Sequence, residues 1–216
     1  MEYYFKALEI QEKVLGKDHP DTAQSYNNIG FIYSHQGEYD KALEYHLKAL
    51  VIREKVLGEE HPNTAQSYNN IGTVYYDQGE YDKALEYHFK ALDAYKNILG
   101  HEHHYTATSF NNIGTVYYDQ GEYDKALEYF SNALNIKEKV LGAEHPQTAT
   151  SYNNIGFVYY NQKEYYKALE YHLKALEIQE KVLGKEHPDT MQTKKFIEES
   201  RRVLTEEKKF YIFEYL

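Results

Sequence analysis

His19-Pro20-Asp21-Thr22-Ala23 returns as His61-Pro62-Asn63-Thr64-Ala65, then as His103-His104-Tyr105-Thr106-Ala107 and His145-Pro146-Gln147-Thr148-Ala149. A last copy opens with His187-Pro188-Asp189-Thr190. The five histidines stand 42 residues apart, so four full units occupy 19–60, 61–102, 103–144 and 145–186. A fixed period of this size is the mark of a solenoid or similar array, in which each unit buries its apolar face only by stacking on its neighbours.

Within a unit the punctuation predicts two helices. Proline tolerates the first helical position because its missing N–H would be unpaired there, so helix A is expected from Pro20 to Gln36. Gly37 breaks it, and helix B follows over Tyr39–Leu57, with Gly58 as its C′ residue. The pattern recurs at Gly79 and Gly100, Gly121 and Gly142, and Gly184. The fourth unit has Lys163 where the others have the mid-unit glycine, so that turn must accommodate a side chain. At about 100° per residue Tyr26, Ile29, Gly30 and Tyr33 share one side of helix A. Ala42, Tyr45 or His46, Ala49 and Leu50 share one side of helix B. Large residues facing Gly and Ala allow close packing. The 25 tyrosines fit such a thin fold, with the ring buried and the hydroxyl at the wet edge.

Composition narrows the function classes. A net charge of −10 repels phosphate backbones, which argues against a nucleic-acid partner. No cysteine is present, so there is no disulfide, thiolate ligand or thiol redox centre. No apolar run approaches the roughly 20 residues of a membrane span, and the start Met1-Glu2-Tyr3-Tyr4-Phe5-Lys6 is no signal peptide. The expectation is a soluble, cytoplasmic protein with no membrane partner.

Tyr26, Ile29-Gly30, Tyr33, Gly37-Glu38-Tyr39, Ala42 and Ala49 follow the spacing of a known repeat. So do Tyr68, Ile71-Gly72, Tyr75, Gly79, Tyr81, Ala84 and Ala91, and the two later registers at Phe110 to Ala133 and Tyr152 to Ala175. The unit resembles the tetratricopeptide repeat (TPR). At 42 residues rather than the usual 34, it is similar to the long-helix repeats of kinesin light chain and nephrocystin-3. The resemblance spans residues 2 to about 200. It implies an all-α, right-handed α-solenoid of antiparallel helix pairs, a TPR superhelix whose concave wall is built from A helices. It also implies a non-catalytic scaffold that binds a peptide or partner segment in that groove.

Both ends fall inside the repeat. Glu2 to Gly16 aligns with the helix B at Glu170–Gly184, so residues 1–18 read as a half-repeat, as in a fragment of a longer array. Residues 187–209 diverge into a polar capping helix, with Lys194 in the place of the first aromatic and Glu198 in that of the glycine. Residues 210–216, Phe210-Tyr211-Ile212-Phe213-Glu214-Tyr215-Leu216, form an apolar tail that ends a single array over 1–209. An alternative function is therefore self-assembly, through head-to-tail stacking of the terminal helices or through the tail.

The same helical wheel turns Gln24, Asn27, Asn28, Phe31, Ser34 and His35 away from helix B, toward the groove. The partner-binding residues predicted on this wall are Asn28 and Phe31; Asn70, Thr73 and Tyr76; Asn112, Thr115 and Tyr118; and Asn154, Phe157 and Tyr160. An Asn amide both donates and accepts, so a ladder of them suits the backbone of an extended peptide. The alternative is that the Asn residues of these pairs bond neighbouring helices and only hold the stack; the open side of the wheel favours the groove for the second Asn of each pair. Asp77 and Asp119 favour a neutral to basic ligand. Without Lys or Arg in the groove positions, a terminal carboxylate would lack a charged partner.

No chemistry emerges elsewhere. The periodic histidines are too far apart to converge on a metal and read as helix-start residues. His101-Glu102-His103-His104 lies on a turn and lacks the His-Glu-x-x-His geometry, leaving at most adventitious metal binding. His46, His88 and His172 share their register with Phe130, which indicates packing. No phosphate loop, nucleophile elbow or isolated carboxylate pair is present, so neither enzyme activity nor a cofactor is expected.

Overall fold

The computed structural model describes residues 2–214, with side chains over 2–206. Tyr215 and Leu216, and the side chains of the expected apolar tail at 210–216, lie outside the described residues. Ten α-helices and no strand occur among the described residues: α1 (Glu2–Val14), α2 (Pro20–His35), α3 (Tyr39–Leu57), α4 (Pro62–Asp77), α5 (Tyr81–Leu99), α6 (His104–Asp119), α7 (Tyr123–Leu141), α8 (Pro146–Asn161), α9 (Tyr165–Val182) and α10 (Pro188–Glu214). Helix A of each unit is α2, α4, α6 or α8, and helix B is α3, α5, α7 or α9. The backbone of α10 continues through Glu214.

Two compact units divide the chain at Val116/Tyr117, inside α6. In the first, α1 packs on α2, α2 on α3, α3 on α4 and α4 on α5. In the second, α7 packs on α8, α8 on α9 and α9 on α10.

Local signals account for each helix. The imidazole Nδ1 of His19, His61, His103, His145 and His187 accepts from the backbone N–H two residues on, at 3.1–3.2 Å. The periodic histidines are thus N-terminal caps, satisfying a donor the helix leaves unpaired. Thr22, Thr64, Thr106 and Thr148 donate to the carbonyls of Gly16, Gly58, Gly100 and Gly142 at 2.8–2.9 Å, pinning the start of each helix A to the end of the helix B before it. Between A and B the chain reverses through Gly37 at φ 74° and Gly79 at φ 77°, a left-handed conformation that glycine enters without penalty. Lys163 adopts the same conformation, at φ 64°.

The core is small and repeats. Ala23, Ala49 and Ile52 cluster with Tyr26. Ala149, Ala175 and Ile178 cluster likewise with Tyr152. Leu50, Ala65, Tyr68, Ile71 and Ala91 fill the next junction of the first unit. The tyrosines line its edges. Tyr33 stacks on Tyr45 with centroids 5.6 Å apart, Tyr75 on Tyr87 at 5.6 Å and Tyr117 on Tyr129 at 5.4 Å. A lysine covers the first ring of each pair, Lys41, Lys83 and Lys125 in turn. At the next edge the Tyr26, Tyr68 and Tyr152 hydroxyls donate to Glu12, Glu54 and Glu138.

Candidate functional site

The wall predicted to bind a partner is built in the first unit from α2 and α4. Phe31, Ser34 and His35 of α2, with Asn70, Thr73, Val74 and Asp77 of α4, surround an open cavity of about 300 Å³, with His46 at its base. Phe31 is exposed and meets His35 edge-on, with centroids 4.3 Å apart. Thr73 is exposed, and its hydroxyl donates to the Asn69 carbonyl at 3.0 Å. The Asn70 amide donates to Asn27 Oδ1 at 2.7 Å. Burial raises the Asp77 carboxyl above its ordinary pKa, while His35 nearby acts the other way. The cavity therefore offers an aromatic face, an amide, a hydroxyl and a carboxylate.

The remaining predicted residues fall into two groups. Asn28 is half-buried and accepts from Gln24 at 2.8 Å. Tyr76 is half-buried, its ring 6.0 Å from Tyr81. Asn112 and Thr115 are half-buried on α6, and the Thr115 hydroxyl donates to the Asn111 carbonyl at 3.0 Å. In the second unit Tyr118 accepts from Asn161 at 2.6 Å, and Tyr160 lies edge-on to Tyr165 at 5.3 Å. Asn154 is half-buried. Phe157 belongs to a three-ring cluster, edge-on to His172 at 5.0 Å and to Phe196 of α10 at 4.5 Å. Phe157 thus meets Phe196 of α10, where the counterpart of that position beside Phe31 is Asn70, at the open cavity.

At Asn27, Asn69 and Asn153 the first asparagine of the pair departs from the wheel. Asn27 is buried, its Oδ1 accepting from His46 Nδ1 at 3.1 Å and from Asn70. Asn69 pairs with His88 at 3.0 Å and donates to Ser109 at 3.1 Å. Asn153 pairs with His172 at 2.9 Å and donates to Thr193 at 2.8 Å. These residues hold the stack rather than line the groove. A two-sided wheel misassigns them because a helix A touches its own helix B and the next helix A, so its buried arc is wider than one face. Burial pushes His46, His88 and His172 down to about 4. Neutral packing groups result, as their register with Phe130 indicated.

A second cavity of about 460 Å³ escaped the sequence reading. Lys17, Asp18, Tyr26, Glu44, Leu47, Lys48, Val51 and Ile52 line it. Its signal was an exposed apolar pair, Leu47 and Val51, where the third unit carries Ser131 and Asn135. Among the described residues no group of three or more His, Asp or Glu could hold a metal, and His103 and His104 instead stack at 4.8 Å. No helix among the described residues is long and apolar enough to cross a membrane.

Comparison with known proteins agrees with this architecture. Models of the tetratricopeptide repeat match residues 2–50, 21–97, 68–139 and 105–163, and a further one matches 148–189. No curated protein matches the chain. Among solved structures, BtubC (BKLC) from P. vanneervenii is 26% identical, with TM-score 0.74 over 86% of this chain and 73% of that one. RapI, in its apo form, is 25% identical, with TM-score 0.72 over 96% of this chain and 78% of its own. A kinesin light chain-like protein of Podosopora anserina with nearly identical TPR-like repeats is 22% identical, with TM-score 0.75 over 88% of this chain and 90% of its own. At that identity the last likeness speaks for the fold alone.

Proposed function

The chain belongs to the tetratricopeptide-repeat family, and from that membership we propose a non-catalytic scaffold that binds an extended peptide or partner segment along its A helices. One observation carries the reading: Phe31, Asn70, Thr73 and Asp77, from two different helices, surround one open cavity. An extended ligand crossing α2 and α4 would bury a side chain against Phe31 and present its backbone to Asn70. The Asp77 carboxylate and the net charge of −10 favour a neutral to basic segment. The supporting pattern is repeated on α6 and α8, where Asn112, Thr115 and Asn154 keep the same register.

The test is selection of peptides from a random library on the immobilised chain, followed by titration of the selected sequences. Phe31→Ala and Thr73→Arg should each weaken binding about tenfold or more, since hot spots concentrate in such pockets. Asn70→Ala with Asn112→Ala should weaken it without unfolding the chain. Leu47→Ala, on the other cavity, should leave it unchanged. Selected peptides that bind all these variants equally would overturn the groove reading.

A further inference from the structure

Phenylalanine stands twice at one register of helix A, as Phe31 of α2 and Phe157 of α8, while α4 and α6 carry Thr73 and Thr115 there. The two rings share their setting within the unit. Each follows a glycine, Gly30 or Gly156, that a histidine of helix B covers, His46 or His172. They differ on the side of the next helix A. Phe31 borders the open cavity between α2 and α4 and is 56% exposed. Phe157 is half-buried, because Phe196 of α10 lies against it.

Phe196 holds the register that Asn70 holds beside Phe31. Its ring meets Phe157 edge-on at 4.5 Å and stacks on His172 at 5.7 Å, with the planes 21° apart. Phe157 in turn meets His172 edge-on at 5.0 Å. Three rings thus close the place between α8 and α10. Between α2 and α4 two of the three are present, Phe31 and His46, and both line the cavity. The third position is the shorter Asn70, whose amide is engaged with Asn27 Oδ1. The second unit therefore shows, in this protein's own side chains, what covers such a pair: an aromatic ring.

We infer that the α2–α4 cavity is a subsite for a phenylalanine or tyrosine side chain of the bound peptide, with a basic residue next to it in the ligand. The subsite rests on the groove reading and names the side chain that reading left open. The edge of one aromatic ring is attracted to the face of another, so Phe31 and His46 favour a ring over an aliphatic side chain of similar size. Burial keeps the His46 imidazole neutral near pH 7, so no charge at the base of the cavity opposes an apolar occupant. Asp77, in the same cavity, sets the sign of the neighbouring charge. A lysine or arginine beside the ring meets a carboxylate there, and an aspartate or glutamate is repelled.

The probe is acetyl-para-fluorophenylalanyl-lysine amide, titrated into the intact chain at millimolar concentration and read by its fluorine NMR signal. The expected result is a saturable shift. Phe31→Ala and Thr73→Arg should each weaken binding about tenfold or more, while Leu47→Ala on the other cavity leaves it unchanged. Phe31 is exposed, so Phe31→Ala should keep the far-UV spectrum of the parent. Unlabelled dipeptides then compete for the signal. Acetyl-phenylalanyl-lysine amide should displace the probe at about fivefold lower concentration than the leucyl-lysine or the phenylalanyl-glutamate analogue. Asp77→Asn should erase the difference between lysine and glutamate. A leucyl-lysine analogue that competes as well as the phenylalanyl one would overturn the inference. So would a fluorine signal that does not shift, or a shift that survives both Phe31→Ala and Thr73→Arg. Peptides selected from the random library separate this failure from that of the groove. If they lose affinity with Thr73→Arg but carry no aromatic residue, the groove stands and the ring subsite falls. If they bind every groove variant as they bind the parent, both fall.

Discussion

A Cβ placed on Gly72 of α4 would stand 2.8 Å from the imidazole of His88 on α5. The ring cannot retreat easily, because it is buried and held to Asn69 Oδ1 at 3.0 Å. Elsewhere in a helix Gly→Ala stabilises by about 1 kcal/mol. Here overpacking of about 1–3 kcal/mol should win, so Gly72→Ala lowers stability. In a His88→Ala background the clash is gone, and the same substitution should become stabilising. Urea unfolding of the four proteins of this cycle decides it. A Gly72→Ala effect of the same sign in both backgrounds would show that the close approach does not constrain the pair.

The three buried histidines also predict how stability follows pH. His46, His88 and His172 are depressed to about 4 from an ordinary value of 6.5. Burial is the main cause in each, and Arg53 adds to it at His46. The unfolded chain therefore binds more protons than the folded one between about pH 6.5 and 4. Stability is complete above that window, falls as pH drops through it, and levels off below it. Each histidine contributes up to about 2–3 kcal/mol of this loss. His172→Phe, which borrows the residue found at position 130, should remove one share. Urea midpoints from pH 7 to pH 4.5 give the readout. An unchanged acid slope in that variant would locate the proton uptake elsewhere.

Arg53 is a buried cation held by neutral acceptors. Its guanidinium donates to the Asn63 carbonyl, the Ser67 hydroxyl and Gln24 Oε1, each at 2.8 Å. Burial lowers its pKa, opposed by Tyr95. The same register holds Gln11, Tyr95, Lys137 and Gln179, and Lys137 donates to Ser151 at 2.9 Å. Arg53→Ala should cost about 2–4 kcal/mol through unmet acceptors and lost packing. Arg53→Gln, matching the residue at position 179, should cost less. Equal losses would mean that packing volume, not hydrogen bonding, sets the value of this position.

The sequence made the helix pairs legible because punctuation and periodicity agree in every unit. Helix B was placed at Tyr39–Leu57 and helix A one residue too long, at Pro20–Gln36 against Pro20–His35. The histidine caps were legible as helix-start residues, although their hydrogen bond was not. What the wheel could not show was contact with a third helix. Asn27 lies on the same arc as Asn28, and only the position of His46 and Asn70 decides that it is buried. The cavity beside Leu47 and Val51 was missed for a related reason. It needs Lys17 and Asp18 of the preceding loop beside α3, a contact between loop and helix B that a wheel of one helix does not contain, and it recurs in register at Ala143, Glu144, Tyr152 and Lys174.

Lys163 gives the last test, and it is one the sequence posed directly. The residue turns between α8 and α9 at φ 64°, where its counterparts Gly37, Gly79 and Gly121 lie at φ 74–77°. A left-handed conformation costs a residue with a Cβ about 1–2 kcal/mol. Glycine gives back part of this by its greater freedom in the unfolded chain. Lys163→Gly should therefore stabilise by about 0.5–1 kcal/mol, and Gly79→Lys should destabilise by a similar amount. No atom lies within 4 Å of a Cβ built at Gly79, so sterics add nothing and the two changes isolate the backbone. Paired urea titrations measure both. A gain from Lys163→Gly without a matching loss from Gly79→Lys would mean that the lysine side chain, not the φ angle, is the unfavourable element of the fourth turn.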